Sequence, residues 1–338
     1  MRSLDQGLQD LLSAVNNILS VREKNRPDRG KIRRRLQAEV GAIRRAVPLT
    51  PDTIKKLAGG RPLVGVDGSV TAYGALFPHI IHLFRALAST TAQSVEEGLY
   101  LVDLFYPELE DHRQEIEEAV ARAAAAGENL APEAVLSQIV RARLAALEVR
   151  AAREALEKYR PFAVFFDGGF LRYGTLAPAQ WQEYRELALA RDVVSIGVIE
   201  EIGTFDLARK ILAGPGASPP FTCDRDLLFG VLEPGEWLAV RGELELKKTY
   251  YTCFARPGAY PGAVAYDFFR EQAHRAADFV PLLFALTPRG GRGIPWWLDQ
   301  VDRAVRISRP EMELLLETCL DRGLRERFFV PRRERRSL

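Results

Sequence analysis

Two aspartates in this chain stand where a soluble protein seldom places a carboxylate. Asp67 closes the apolar run LVGVDGS and Asp167 closes FAVFFDGG, each the pattern of a buried strand entering a turn. A carboxylate is costly to bury unless a cation or a hydrogen-bond network meets it. The glycine after each aspartate lets the chain turn sharply and lets a ligand approach the backbone. Two such strand ends side by side would hold two carboxylates near one point, as in oxygen-ligated Mg²⁺ or Mn²⁺ sites that leave room for water and phosphate. Asp-Gly also begins ordinary turns, and that alternative stays open.

Other chemistry-bearing residues are weighed the same way. Glu148 lies on a helical segment whose apolar stripe runs through Leu136, Val140, Leu144, Leu147, Ala151 and Ala155. At about 100° per residue it falls at the flank of that stripe, able to reach inward or to pair with a neighbouring arginine outside. PRGGRGIPWW (288–297) sets Arg289 and Arg292 among glycines, which suits a loop that grips phosphate. Trp296 or Trp297 could stack on an unpaired base or pack the core. Lys247–Lys248 with Tyr250 and Tyr251 form a similar basic–aromatic patch, better read as strand core and surface. His79 and His82 are three apart in an expected strand and so face opposite ways; His112 and His274 have no partner at ligand spacing. Cys223, Cys253 and Cys319 lie far apart with no CxxC, which excludes a disulfide framework or zinc site and suits a reducing cytoplasm. Neither a Walker A motif nor GxGxxG occurs, so neither ATP hydrolysis nor dinucleotide binding is expected.

The elements that must position these residues follow from periodicity. Residues 1–47 read as helical, with an apolar stripe through Leu4, Leu8, Leu11, Leu12, Val15, Ile18 and Leu19. From Arg22 to Arg45 the segment turns basic, either a solvated face or an arm that contacts phosphate or a partner. Strands are expected at 61–69, in the β-rich segments VTAYGALFPHIIHLFRALAST and EEGLYLVDLFYP, within RPFAVFFDGGF and VVSIGVIEE, and later at GEWLAVR, KKTYYTCFARPG and GAVAYDFF. Two helices fill 108–159, broken at GENLAP, with Pro132 in the first turn of the second. AGPGASPP (213–220) reads as a surface loop, and RGLRERFFVPRRERRSL as a frayed basic tail. The expected organisation is a helical, basic arm over 1–60, an α/β domain over 61–320 and a tail over 321–338.

Composition sets the outer bounds. With 47% hydrophobic and 27% charged residues the chain is neither disordered nor collagen-like. The 47 Lys and Arg against 45 Asp and Glu leave a formal charge of +2, so nucleic-acid binding would depend on local clustering of charge. The N-terminus lacks the apolar core of a signal peptide, and no run approaches the roughly 18 apolar residues of a membrane span. A cytoplasmic protein with no membrane role is the expectation.

The order VGVDGS, a long helix carrying Leu147–Glu148, then VFFDGG resembles the NurA nucleases over roughly residues 60–310. The resemblance implies an α/β, RNase H-like core with a mixed central sheet flanked by helices. It also implies two-metal hydrolysis of phosphodiesters with Mn²⁺ or Mg²⁺. Matched by position, the ligands are Asp67 as bridging carboxylate, Glu148, Asp167 and Asp302; Asp302 stands where the family usually has histidine, with Asp299 one helical turn before it. Glu200 stands where the family usually has a lysine, which would shift phosphate contact to Lys210 or Arg209, with Arg289, Arg292 and Trp296 as further DNA contacts. The implied function is a DNA nuclease, both single-strand endonuclease and 5′→3′ exonuclease, that processes ends in double-strand break repair. It would act as a homodimer with a hexameric HerA-type ATPase, the N-terminal helix or the FFVPRR tail contributing contacts. The alternatives are a catalytically weak DNA-binding subunit of a translocase, and an RNase H-like nuclease acting on RNA or hybrids.

Overall fold

The computed structural model describes residues 2–212, 222–244, 246–247 and 249–330. The chain opens with α1 (Arg2–Lys24) and α2 (Arg29–Glu39), then β1 (Gly41–Arg45) and α3 (Pro51–Ala58). β2 (Leu63–Leu76), β3 (His79–Thr90) and β4 (Leu99–Phe105) form a meander, followed by α4 (Glu110–Ala125) and α5 (Pro132–Tyr159). Next come β5 (Ala163–Asp167), α6 (Phe170–Leu176), α7 (Pro178–Ala190), β6 (Val194–Ile199), α8 (Asp206–Leu212) and α9 (Asp224–Leu228). The remainder is β7 (Glu236–Val240), β8 (Tyr250–Arg256), β9 (Val264–Phe269), α10 (Ala276–Ala285), α11 (Trp296–Val305), α12 (Arg309–Cys319) and α13 (Arg322–Phe328).

The described strands form one sheet in the order β1-β7-β8-β9-β6-β5-β2-β3-β4. β2, β5 and β6 run parallel at its centre, and every other neighbouring pair is antiparallel. The half β4-β3-β2-β5-β6, a meander extended by two parallel crossovers, is the RNase H-like mixed core that the resemblance implied. Parallel neighbours need long crossovers, and the helical stretches α4–α5 and α6–α7 supply them.

Alternation along β5 divides the core. Val164 and Phe166 pack under α5 and α7, whereas Ala163 and Phe165 pack on the opposite face with α10 and Leu298 of α11. The same parity sends Asp167 and, on β2, Asp67 toward the α11 face. Phe166 anchors this strand end, its ring centroid between 5.2 and 5.9 Å from those of Phe170, Tyr173, Trp181 and Tyr184.

Three segments depart from expectation. Residues 41–45 are an edge strand, not a helix: Gly41 lies so close to β7 that an added Cβ would sit 2.0 Å from the Ala239 carbonyl oxygen. Ile43 then turns toward the cluster around Leu36 and Leu238. The basic stretch before it is spent largely on structure: Arg22 pairs with Asp226 at 2.8 Å, Arg33 with Glu236 at 2.6 Å and Arg35 with Glu39 at 2.7 Å. The tail is ordered through α13, capped by Asp321 on the Leu324 amide, and Phe329 is buried near Tyr73 and Tyr106. The rest of the FFVPRR segment beyond Val330, the loop at 213–220 and Lys248 lie outside the described residues. α6, too short to show apolar periodicity, is a helix that periodicity does not reveal.

Gly197 of β6 faces the turn after Asp167, where an added Cβ would lie 2.7 Å from the Gly168 carbonyl oxygen and 3.0 Å from the Phe170 ring. Gly197→Ala should therefore cost about 1–3 kcal/mol in urea denaturation. It should also weaken Mn²⁺ binding by pushing Asp167 off its position; an unchanged midpoint and affinity would show that the turn is slack.

Candidate metal centre

Asp67, Asp167 and Asp302 each offer a carboxylate oxygen, and those atoms lie within 4.8 Å of one another. Three elements bring them together. β2 and β5 are hydrogen-bonded neighbours whose register pairs Val66 with Phe166, so the next residue of each strand is an aspartate. α11 lies across them: Trp297 donates its indole N–H to the Ser89 carbonyl at 3.0 Å, and Gly65 leaves the space in which Trp297 and Val301 pack. Ser69 accepts from the Ile307 amide at 3.3 Å and Thr71 donates to the Ile307 carbonyl at 2.6 Å, fixing the chain just after α11.

Glu148 enters from the other face of the sheet. It is fully buried, and Gly68 makes room for it: an added Cβ there would sit 2.5 Å from Oε1. Of the two contexts that its helix position allowed, the inward one is realised; the exposed pairing with a neighbouring arginine is not, and its arginine partner comes instead from α6. Arg172 of α6 holds Oε1 at 2.8 Å, while Oε2 is buried without a hydrogen-bond partner among the described residues. Burial pushes the Glu148 carboxyl upward, and the Arg172 charge opposes the shift. Arg172 follows the DGG turn by a few residues, but nothing in its local pattern marks it.

The electrostatics are uneven. Asp67 makes no ion pair among the described residues, and its pKa is pushed up to about 8 by burial, then by the charges of Asp167 and Glu148. Asp167 rises to about 6 through burial and then the charge of Asp302, with Arg292 opposing. Asp302 is already partnered, by Arg306 at 2.7 Å and Arg292 at 3.5 Å. Arg292 also reaches Asp299 at 2.7 Å and Glu200 at 3.1 Å. The acid at the end of β6 is thus met by Arg292 of the glycine-rich loop, and the two bases expected to take over phosphate contact lie elsewhere. Arg209 lies over the Phe205 ring and Lys210 is exposed near Glu39, on the helix that packs with Leu36 and Ile32.

The remaining candidates separate clearly. Trp297 is core, whereas Trp296 is 44% exposed beside it. Arg289 is exposed on its loop. Lys247 is not a surface base: it bonds both oxygens of the buried Asp267 at 2.6 Å. Asp267, which sequence patterning passes over, also accepts from Thr252 at 2.7 Å and from the Phe170 amide at 3.0 Å, pinning the start of α6 and the turn after Asp167. Tyr250 is buried and accepts from the Trp181 indole at 2.8 Å.

Three hard oxygen donors from separate elements, mutually repelling and short of cations, together with an orphaned buried oxygen on Glu148, fit a divalent ion such as Mg²⁺ or Mn²⁺. An RNase H-like sheet with carboxylates gathered at adjacent strand ends defines a nuclease of the hydrolase class. The chain belongs to the NurA family: the NurA domain model matches residues 61–307. Comparison with curated protein sequences finds no match. Among solved structures the chain is similar to the catalytic domain of human Endonuclease V, at 14% identity over 89% of this chain and 97% of that one, with a TM-score of 0.37. It is also similar to Kluyveromyces polysporus Argonaute with a guide RNA, at 10% identity over 76% of this chain and 28% of that one, with a TM-score of 0.33.

Because Asp67 titrates near 3.8 when unfolded and near 8 when folded, the folded chain retains a proton that the unfolded chain loses. The contribution of Asp67 to the stability of the metal-free protein is full below about pH 4 and is lost as pH rises toward 8. In EDTA, Asp67→Asn should flatten that fall and leave the protein more stable at pH 8, by an amount on the order of a few kcal/mol. Mn²⁺ binding at pH 7 should release a proton from the wild type, detectable by calorimetry in buffers of different ionisation enthalpy. A pH-independent metal affinity with no proton release would contradict this.

Proposed function

We propose that this NurA-family nuclease is a divalent-metal-dependent DNA nuclease, both single-strand endonuclease and 5′→3′ exonuclease, that processes DNA ends in double-strand break repair. The observation that carries the proposal is the convergence of Asp67, Asp167 and Asp302 beside the buried Glu148. Asp67, Asp167 and Asp302 would hold Mn²⁺ or Mg²⁺, with Glu148 as the fourth acid. The metal, when bound, supplies Lewis-acid stabilisation of charge on the phosphoryl oxygens and makes water a stronger nucleophile at neutral pH.

The chain's own residues do the rest. Asp67 must give up its proton before it can act as a ligand. Arg172 opposes the upward push that burial gives the Glu148 carboxyl and so favours its charged form. Arg292 balances Glu200, Asp299 and Asp302 and, as a planar fork of donors, can exchange a carboxylate for a phosphate oxygen. Exposed Trp296, on the same helix as Asp302, offers a face on which an unpaired base can stack, with Arg289 on the adjoining loop for phosphate.

Incubation with labelled single-stranded DNA and Mn²⁺ should give cleavage that Asp67→Ala abolishes while the far-ultraviolet circular dichroism is kept. Tight DNA binding without cleavage by the wild type would favour a DNA-binding subunit, and cleavage confined to ribose-containing strands an RNA-directed nuclease.

The proposal extends to assembly: a cytoplasmic homodimer that serves a hexameric HerA-type ATPase. What supports the dimer is α1, on which Leu11, Leu12, Val15, Ile18 and Leu19 are all more than half exposed, an apolar stripe that a second copy would cover. No helix among the described residues is long and apolar enough to cross a membrane. Light scattering should give a dimer for the full chain and a monomer for a chain truncated before Arg22, which keeps α2 and β1. A monomer in both cases would defeat the role given to α1.

A further inference from the structure

A second concavity lies on the other half of the sheet, apart from the carboxylates. It has a volume of about 550 Å³ and is bounded by β1, β7, β8 and the short helical turn that leads into α10. That is within the span of about 300–1,000 Å³ typical of small-molecule sites. Its floor is formed by Ala42 and Ala239, direct partners across the β1–β7 ladder. Two small side chains facing one another leave the depression that larger neighbours would fill. Arg44 and Trp237, the next same-face pair in that register, form one wall, with the guanidinium 5.8 Å from the indole centroid. Tyr251, Arg241 and His274 are also part of the lining.

The charge of this lining is one-sided. It contains Arg44, Arg241 and His274 and no carboxylate. The arginines of the preceding basic stretch are mostly ion-paired with Asp226, Glu233, Glu236 or Glu39. Arg44 instead has no acidic partner among the described residues; it lies over the Trp237 ring, and its charge opposes the rise that burial gives the nearby Tyr251 hydroxyl. Arg241 spends one nitrogen, Nη2, on the carbonyls of Gln37 and Ala38, at 3.1 and 2.8 Å, and its other donors have no acceptor among the described residues. His274 makes no hydrogen bond among the described residues.

We propose that this cavity binds a nucleotide unit, the phosphate held between Arg44, Arg241 and His274 and the base seated over the Ala42–Ala239 floor beside Tyr251. Preorganised, unpaired guanidinium donors select phosphate, and an apolar floor with aromatic walls suits a planar ring. The choice of ligand rests in part on the nuclease reading, since phosphodiester hydrolysis releases nucleotides with terminal phosphates. The same chemistry can come from a free mononucleotide or from a nucleotide within a strand that lies over this half of the sheet.

Binding is measured on the full-length protein in EDTA, where metal-dependent contacts at the carboxylates are silent. The probes are 5′-deoxyadenosine monophosphate, inorganic phosphate and a short oligodeoxynucleotide, followed by calorimetry and tryptophan fluorescence. Arg44→Gln and His274→Ala should each weaken binding about tenfold, the loss of one charge-assisted contact, and leave Mn²⁺-dependent cleavage of a short oligonucleotide unchanged. If the mononucleotide senses both substitutions, the ligand is the free product; if only the oligonucleotide does, it is a unit within a strand. Equal affinity for inorganic phosphate, no binding of any probe, or affinities that ignore both substitutions would overturn the proposal. A wild type that cleaves no DNA with Mn²⁺ yet binds nucleotide through Arg44 would remove the nuclease reading and leave the cavity standing.

Discussion

Like charges held out of water repel strongly, and this fold brings four carboxylates to one place. Burial alone lifts Asp67, and the neighbouring acids lift it further. Cations are allotted unequally: Glu148 has Arg172, Asp302 has Arg292 and Arg306, and Asp67 has no ion pair among the described residues. Without metal, the raised pKa of Asp67 lets a proton stand in there for missing positive charge. The arrangement is a store of unfavourable electrostatics that a divalent ion can discharge, and the rest of the core acts to keep the acids from moving apart.

That restraint comes from packing and from one buried ion pair. The aromatic cluster around Phe166 stiffens the end of β5. On the next strands, Asp267 gathers Lys247, Thr252 and the Phe170 amide, so the turn after Asp167 is held from β9. A buried pair of this kind adds little net stability, but losing one partner would leave a naked charge directly under the metal-site turn. Asp302 is held just as firmly from the other direction, by the Trp297–Ser89 bond and by Ile307 clasped between Ser69 and Thr71.

Much of this was legible before any coordinates. Asp67 and Asp167 were visible because a charged residue ending an apolar strand breaks the local pattern and demands a reason. Glu148 was ambiguous by periodicity alone, since a helix flank is compatible with either solvent or core, and the resemblance decided what geometry could not. Asp302 had no local signal; its position follows from Gly65, which gives α11 room against β2. Arg172 and Asp267 were invisible for a physical reason: each acts on a partner distant in sequence, and their neighbours carry no spacing rule. Arg292 was seen as a phosphate grip, whereas its present partners are carboxylates, a distinction that only the third dimension makes. Residues 41–45 carry no strand signal because Gly-Ala-Ile-Arg-Arg lacks any period-two apolar pattern, and the pairing with β7 is what makes them a strand.

That pairing has a consequence for how the chain is made. Gly41 meets Val240 and Arg45 meets Glu236, so the first strand to leave the ribosome waits for roughly 200 further residues before its partner exists, roughly 10–40 s at ordinary rates of synthesis. During that interval α1, α2 and β1 have none of the acids that later neutralise Arg22, Arg29 and Arg33, all of which come from residues 226–236. The nascent N-terminus is therefore a cationic, partly apolar strip attached to a growing chain. Pairing of β1 with β7 brings that strip onto the sheet, where Ala42 and Arg44 line a cavity.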